Sequence, residues 1–233
     1  SHLNFAENGL VAQLAASDQA LLRRRCSMVE LASGELPQGV EENRQVAYFL
    51  TGATVALFVR QGDLAGDGDT GLALSLAGYE GAVGVQYAVG LDTGIFRPWV
   101  QSAGLAWCID GAQLRQLVAR RPPMMLLFSR YIWAVSQDVA ALAACAQIND
   151  IKSRLAAWIL MSDLRSRGGD LALTHTHLAQ MLGVRRAGVT TAALELKQQG
   201  LLDYQRGRLR IVDRAGLEAV SCWQPVQQRP GVD

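Results

Sequence analysis

The chain of 233 residues has few of the side chains that build metal and catalytic sites. It contains three histidines and four cysteines, and no two cysteines have CxxC spacing. This scatter excludes a recognisable zinc motif, disulfide framework or iron–sulfur motif. No Ser-His-Asp set and no recognisable pair of catalytic carboxylates is visible either. We therefore expect a protein that is not an enzyme and that needs no cofactor.

Long hydrophobic runs are also missing. No uncharged segment has the roughly 20 residues that cross a bilayer, and no signal peptide opens the sequence. Half of the residues are nevertheless apolar, which is enough for a substantial buried core. The sequence thus predicts a folded protein that does not bind membranes and lies in the cytoplasm.

Charge is scarce and unevenly distributed. Charged residues make up 18% of the chain, and the formal net charge is only +1. Residues 1–150 contain 10 basic and 14 acidic side chains, whereas 151–233 contain 12 and 7. A basic C-terminal part joined to an acidic N-terminal part favours a nucleic-acid module attached to a domain with another task.

The most informative segment is LTHTHLAQMLGVRRAGVTTAALELKQQGLLDYQRGRLRI, from Leu173 to Ile211. Thr174 is a candidate N-cap for a first helix that ends near Leu182, and Gly183 supplies a tight turn. A second helix is predicted from about residue 186 to 199, and Gly200 suits its C-terminal cap. The pattern indicates a helix-turn-helix followed by a short two-stranded wing.

The outward side chains of this segment are basic or carry hydroxyl groups. Apolar Leu209 and Ile211 alternate with arginines in the predicted wing, as in a strand with one buried face. Arginine and threonine suit phosphate oxygens and base edges. The other interpretation is an ordinary helical hairpin in a larger core. The candidate DNA contacts are Thr174, Arg185, Arg186, Thr190, Thr191, Arg206, Arg208 and Arg210.

Between residues 29 and 109 the sequence shows short apolar runs broken by glycine at intervals of about ten residues, such as VAYFL, ATVALFV and GAVGVQYAVG. This punctuation predicts an antiparallel sandwich or barrel. A long helix follows from Pro122. Its apolar residues alternate at spacings of three and four, which favours a seam between two copies of the helix over a helix packed on its own core. The seam residues are Met125, Phe128, Ile132, Val135, Val139, Leu142 and Ala146.

The order of β domain, long helix and winged helix-turn-helix resembles the Crp–Fnr superfamily of bacterial transcription regulators. The segments LTHTHLAQMLGVRRAGVT and GLLDYQRGRLRIVDRAGLEA carry the resemblance. It implies an α+β fold with a jelly-roll-like antiparallel β-roll that senses an effector over 1–121. A dimerisation helix over 122–150 and a DNA-binding domain over 151–233 follow from the same resemblance.

The resemblance also implies roles for single residues. Arg185 would lie near the phosphate backbone, Arg186 and Thr191 would contact bases, and Ala187 replaces the acidic base reader of cyclic-AMP-responsive members. The implied partners are a palindromic double-stranded DNA site, a second copy of the chain, RNA polymerase and a small-molecule effector.

The counterparts of the cyclic-nucleotide pocket depart from the family pattern. Gly84-Val85 stands for the Gly-Glu pair that holds the ribose, and Arg97-Pro98 stands for the Arg-Ser or Arg-Thr pair that holds the phosphate. Valine cannot accept a ribose hydrogen bond, and proline has neither a hydroxyl nor an N–H group. Trp99 is a candidate aromatic lining residue. We expect an effector other than cyclic AMP or cyclic GMP.

The sequence therefore predicts a homodimeric, sequence-specific DNA-binding transcription regulator. The alternative is a ligand-binding or protein-interaction module whose winged helix does not read DNA. The positive C-terminal part and the arginines of the wing favour DNA.

Overall fold

The computed structural model describes residues 5–36, 45–60, 71–91, 94–167, 171–205 and 207–224. The chain forms two compact units. The first comprises Ser1–Leu57 and Leu76–Ser136, and the second comprises Phe58–Ser75 and Gln137–Asp233. None of the described helices is both long and apolar enough to cross a membrane.

Eight strands form two antiparallel four-stranded sheets, ordered β1-β8-β3-β6 and β2-β7-β4-β5. Short apolar runs with turn residues between them produce these strands, as the glycine punctuation predicts. The α+β class with an N-terminal antiparallel β domain is thereby confirmed. The strands are β1 (Ser27–Leu31), β2 (Gly34–Glu35), β3 (Val46–Leu50), β4 (Thr54–Arg60), β5 (Gly71–Ala77), β6 (Ala82–Val83), β7 (Arg97–Ser102) and β8 (Gly104–Asp110).

The segment VQYAV departs from the strand texture that the sequence indicates. Val85–Val89 forms a 3-10 helix between Gly84 and Gly90, which have left-handed φ angles of 85° and 80°. Glycine adopts this conformation without steric strain, so the chain turns at both ends of the segment. Tyr87 is buried within it. Val85 and Ala88, three positions apart, are buried as well and lie on the same side of the 3-10 helix. The prediction of a strand for this segment is therefore wrong.

Helices flank the β domain of the first unit. A 3-10 turn at Phe5–Glu7 precedes α1 (Gly9–Ala12) and α2 (Ala16–Arg23), and α3 (Gly111–Val118) follows β8. Asp110 caps α3, since its carboxylate accepts hydrogen bonds from the N–H groups of Ala112 and Gln113 at 3.0 and 3.1 Å. One core cluster joins these helices to the inner side chains of β3 and β8.

The long helix α4 spans Pro122–Ile148. Proline is favoured in the first turn of a helix, where its missing N–H needs no partner. The second unit continues with α5 (Ile151–Arg165), α6 (His175–Leu182), α7 (Arg186–Gln198), β9 (Leu202–Gln205), β10 (Arg208–Ile211) and α8 (Arg214–Val220). Helix α5 packs against α7 and α8. Trp158 on α5 is 1% exposed and is the largest fully buried side chain of this unit.

Candidate nucleic-acid interface

The turn of the helix-turn-helix is built as its sequence predicts. The Thr174 hydroxyl accepts a hydrogen bond from the N–H of His177 at 3.1 Å and caps α6. Helix α6 ends at Gly183, whose φ of 61° is left-handed. The N–H of Val184 then donates to the carbonyl of Ala179 at 3.0 Å. These bonds close the connection tightly, so α7 begins at Arg186.

A small core joins α6 to α7. Its members are apolar and buried, and Val184 beside them is half-buried. The short side chain of Ala179 lets the two helix backbones approach closely. The buried members are Leu178, Ala179, Leu182, Val189 and Ala192.

The opposite face of α7 carries the predicted contact residues. Arg185, Arg186 and Thr191 are exposed, and Thr190 is half-buried. The hydroxyls of Thr190 and Thr191 donate to the carbonyls of Arg186 and Ala187 at 3.1 and 3.2 Å. These bonds leave each threonine oxygen able to accept a further hydrogen bond. The exposed face therefore combines two cations with a hydroxyl that can act as acceptor.

His175 joins three parts of the motif. Its Nδ1 lies 3.0 Å from the Thr190 hydroxyl oxygen, and its ring stacks on Tyr204 of β9 with centroids 4.7 Å apart. The Tyr204 hydroxyl in turn donates to the carbonyl of Leu173 at 3.2 Å. With the Thr190 proton directed to the carbonyl of Arg186, the tautomer that carries a proton on Nδ1 lets His175 donate to Thr190. His175 thus orients α7 relative to α6 and the wing.

The surroundings of both histidines of α6 disfavour their protonated form. Burial, followed by the nearby Arg186 guanidinium, lowers the pKa of His175. Burial lowers the pKa of His177. The Nε2 atoms of both rings are buried and have no hydrogen-bond partner within the described part of the chain. Proton uptake at either ring would place a charge where no acceptor neutralises it.

The wing has the predicted alternation. Leu209 is 1% exposed and Ile211 is half-buried, whereas Arg208 and Arg210 are exposed. A bridge to Leu171 extends this two-stranded sheet, with N–H to carbonyl distances of 2.8 and 2.9 Å in the two directions between Leu171 and Leu209. The arginines therefore project from a ribbon that is anchored on its other face.

The predicted contact Arg206 lies outside the described residues. The glycine that follows it, Gly207, has a φ of 79°, which is the left-handed conformation that a tight hairpin turn needs. Gln205 and Arg208 face each other on the two sides of this turn. The role of Arg206 remains a prediction.

The acidic side chains of the motif already have partners. Glu195 pairs with Lys152 at 3.5 Å, and Asp203 pairs with Lys197 at 3.0 Å. The Asp213 carboxylate caps α8. Within the described ranges, the exposed arginines of α7 and the wing form no ion pair. Their positive charge is available to an external anion.

Helix α4 does not present the predicted seam as a free surface. Phe128 is 0% exposed and belongs to the core of the first unit, and Leu142 is 8% exposed. Neither side chain can belong to a seam between two copies, so that part of the prediction is wrong. The apolar residues are spaced by three and four because α4 packs this face against other parts of its own chain. Such spacing shows that a helix face is apolar, but not whether the same chain or a second copy covers it. The other five seam residues, Met125, Ile132, Val135, Val139 and Ala146, are half-buried.

The exposed face of α4 lies on the opposite side of the helix. Leu126 and Trp133 are 53% and 67% exposed, and Ala140 is also exposed. These three residues are spaced by seven, so they share one side of the helix. Large exposed apolar side chains in a row are typical of interaction surfaces.

The predicted effector residues lie on segments that belong to, or follow, strands of two different sheets. Gly84 and Val85 follow β6, whereas Arg97 and Trp99 lie on β7. Val85 is only 2% exposed, Arg97 is exposed and Trp99 is half-buried. A Cβ at Gly84 would come within 2.5 Å of the carbonyl oxygen of Val46. Val85 therefore belongs to the core rather than to a ligand surface.

Sequence reasoning missed two positioning residues in the second unit, His175 and Asp138. The Asp138 carboxylate is 4% exposed and accepts hydrogen bonds from Arg165 at 2.7 Å and from the indole of Trp223 at 3.2 Å. The only sequence signal for the role of Asp138 was its position as an isolated aspartate within the apolar helix α4. Its partners lie 27 and 85 positions away, so no local pattern identifies them.

Residues 153–220 match the model of the Crp-like helix-turn-helix domain. That range contains α6, α7 and the wing. No reviewed protein sequence matches the chain.

Solved structures share the fold over most of the chain. The global regulator CLP of Xanthomonas campestris is 15% identical, with 85% of this chain and 100% of that chain covered and a TM-score of 0.63. FixK2 of Bradyrhizobium japonicum is 12% identical over 84% of this chain and 97% of its own, with a TM-score of 0.66. A Crp-family regulator of Thermus thermophilus is 17% identical over 84% and 98%, with a TM-score of 0.63. At such identities the likeness shows the fold.

Proposed function

We propose that this chain, which carries a Crp-like helix-turn-helix domain on the fold of the Crp/Fnr transcription regulators, is a homodimeric, sequence-specific DNA-binding transcription regulator. The observation that carries the proposal is the outer face of α7, where Arg185, Arg186 and Thr191 stand exposed beside an arginine-bearing wing. This arrangement suits a helix in the major groove with phosphate contacts at its edge.

The contact residues divide by what they would touch. Arg186 and Thr191 lie on the exposed face of α7 and would read base edges. Arg185 at the start of α7, with Arg208 and Arg210 on the wing, would bind phosphates. Thr174 would contribute its remaining hydroxyl proton to a phosphate. Thr190, which the sequence also predicts as a DNA contact, would in addition position α7 through its bond to His175.

A second copy of the chain would dock on the exposed face of α4. The residues Leu126, Trp133 and Ala140 repeat every seven positions, as in the contact line of paired helices. Two copies related by a two-fold axis would place their α7 helices in successive major grooves. The bound site would then be a palindrome whose half-sites lie about one helical turn apart.

The signal that controls this regulator would differ from cyclic AMP. Val85 is 2% exposed and offers no acceptor for a ribose. Charge-assisted hydrogen bonds contribute about 1.5–3 kcal/mol each, so losing several of them lowers affinity by orders of magnitude. Calorimetric titration with cyclic AMP and cyclic GMP should show no micromolar binding.

Selection of bound genomic fragments by the full-length protein, with and without cell metabolites, tests the function and the signal together. Enriched fragments should share a two-fold symmetric motif. If each copy neutralises three to five phosphates, affinity should fall about 10³–10⁵-fold between 50 and 200 mM salt. Failure to enrich any duplex in dilute buffer would overturn the proposal.

A further inference from the structure

Two cysteines that are far apart in the sequence meet in the second unit. Cys145 lies near the end of α4 and is 4% exposed, and Cys222 follows α8. The Cys145 thiol donates to the carbonyl oxygen of Cys222 at 2.8 Å. Together with burial, the neighbouring Cys145 thiol also helps to raise the pKa of Cys222.

The segment that carries Cys222 is held in place by its neighbours. The Ser221 hydroxyl accepts from the N–H of Trp223 at 3.0 Å and donates to the carbonyl of the same residue at 2.8 Å. The Trp223 indole donates to the Asp138 carboxylate, two turns of α4 before Cys145. These bonds anchor the backbone on both sides of Cys222 beside α4, where the Cys145 thiol contacts it.

An open cleft of about 420 Å³ reaches both cysteines and is lined in part by Ala141, Ile148 and Asn149. It is wide enough to admit a small solute to Cys222, which is half-buried. Both thiols also interact electrostatically with Arg154. Arg154 itself hydrogen-bonds the carbonyl of Leu182 at the end of α6.

We propose that Cys145 and Cys222 form a thiol-oxidation site, in which a peroxide converts the pair to an intramolecular disulfide. The Cys222 thiolate attacks one peroxide oxygen and the O–O bond breaks, which leaves the Cys222 sulfur as a sulfenic acid. The hydroxide that departs takes up the proton that the Cys222 thiol had released and becomes water. The Cys145 sulfur then attacks that sulfur, the S–S bond forms, and a second water leaves. Two thiols lose two electrons and two protons, and hydrogen peroxide becomes two molecules of water. This site goes beyond the proposed function and does not depend on it.

The environment sets the rate of this reaction. Burial, followed by the adjacent Cys145 thiol, raises the pKa of Cys222, and Arg154 opposes this in part. The thiolate is the reactive form, so only a small fraction of Cys222 reacts at neutral pH. The thiolate fraction, and with it the oxidation rate, should rise by about tenfold for each pH unit between 7 and 8.

The remaining two cysteines provide a matched control. Cys26 and Cys108 belong to the first unit, and Cys26 is 7% exposed. The pKa of Cys26 is raised to about 12 by burial and then by Cys108. Burial raises the pKa of Cys108, and the backbone of Ser27 opposes this in part. The pKa of Cys222 is raised to about 12 as well, so the two pairs differ in access: Cys26 is buried, whereas the cleft reaches Cys222. We therefore expect Cys26 and Cys108 to stay reduced under conditions that oxidise Cys145 and Cys222.

The test treats the full-length protein with hydrogen peroxide at pH 7 and pH 8, blocks free thiols and maps the peptides by mass spectrometry. A peptide pair that joins Cys145 to Cys222, two hydrogens lighter than the free peptides and released by dithiothreitol, is expected. It should persist in the Cys26→Ser/Cys108→Ser double variant and disappear in Cys145→Ser and in Cys222→Ser.

If a serine variant does not fold, the wild-type peptide map alone decides. A disulfide to Cys26 or Cys108, a link only between separate chains, or irreversible oxidation of Cys222 would overturn the proposal. Unreacted thiols at both pH values would overturn it as well.

Discussion

The imidazole Nδ1 of His175 lies 3.0 Å from the hydroxyl oxygen of Thr190, which joins the first helix of the helix-turn-helix to the second. A partly buried hydrogen bond of this kind typically contributes about 0.5–1.5 kcal/mol to stability. The orientation of α7 therefore depends on a polar contact as well as on the apolar core that the two helices share.

A double-mutant cycle measures that contact. His175→Ala and Thr190→Val each remove one partner, and the double variant removes both. The free energies of unfolding should show a coupling of about 0.5–1.5 kcal/mol between the two positions, since residues in contact are not additive. The cycle is measured by urea unfolding at pH 7.5. Additive losses would show that the bond does not hold α7.

Stability should fall on acidification because of the two histidines of α6. Burial lowers the pKa of His175 and His177 in the folded state, so the unfolded chain binds more protons below about pH 6.5. The contribution of the two neutral rings to the free energy of unfolding is complete above that pH. It is lost as the pH decreases through that value and further. The urea midpoint should decrease from pH 7.5 to pH 5.5, and His177→Gln should reduce this decrease. A midpoint that rises on acidification would contradict the assignment.

Arg186 and Arg208 should differ in what their loss does to DNA binding. Arg186→Ala should cost about 1–3 kcal/mol on the selected site and much less on random duplex, because a bidentate base contact is lost. Arg208→Ala should weaken binding to both DNAs alike and reduce the salt slope by about one unit. Fluorescence anisotropy on the two duplexes gives all four affinities. Equal losses for both variants on both DNAs would show the roles to be wrong.

Gly183 should be harder to replace than Gly200. Both have left-handed φ angles, 61° and 74°, but a Cβ at Gly183 would lie 2.7 Å from the carbonyl oxygen of Gly71 within the same unit. No atom lies within 4 Å of a Cβ at Gly200. Gly200→Ala should cost about 1 kcal/mol for the backbone conformation alone, and Gly183→Ala should cost more. Urea unfolding gives the free energy of unfolding of each variant. An equal loss for both would mean that the chain shifts easily to relieve the contact between the new Cβ and the carbonyl oxygen of Gly71.

Trp133 should matter for self-association. It is 67% exposed on α4, and Trp133→Glu would place a charge in the proposed contact between two copies. The variant should sediment as a monomer at concentrations where the wild type is a dimer. Met28→Glu, at a residue 49% exposed on β1, is the control and should leave the dimer intact. A monomeric wild type would contradict the proposed assembly.

Local signals explain why the helix-turn-helix was predicted closely. The cap at Thr174, the turn at Gly183 and the end of α7 before Gly200 each depend on the backbone needs of one or two residues. The wing follows from the alternation around Leu209. Such features are readable because their causes lie within a few positions of one another.

Features that depend on distant partners were not predictable in the same way. The spacing on α4 shows that one face is apolar, and only the position of Phe128 among the helices and strands of its own unit shows what covers that face. The 3-10 helix over Val85–Val89 is likewise decided by what its side chains pack against. A hydrophobic period identifies a buried face without identifying its neighbour.

The bonds to Asp138 determine where the chain can be divided. A fragment that starts at Ile151 would keep Arg165 and Trp223 but lose the carboxylate that accepts hydrogen bonds from both. Excision of the DNA-binding half should therefore succeed only when the cut is made before Asp138, with the last three turns of α4 retained as part of the excised piece.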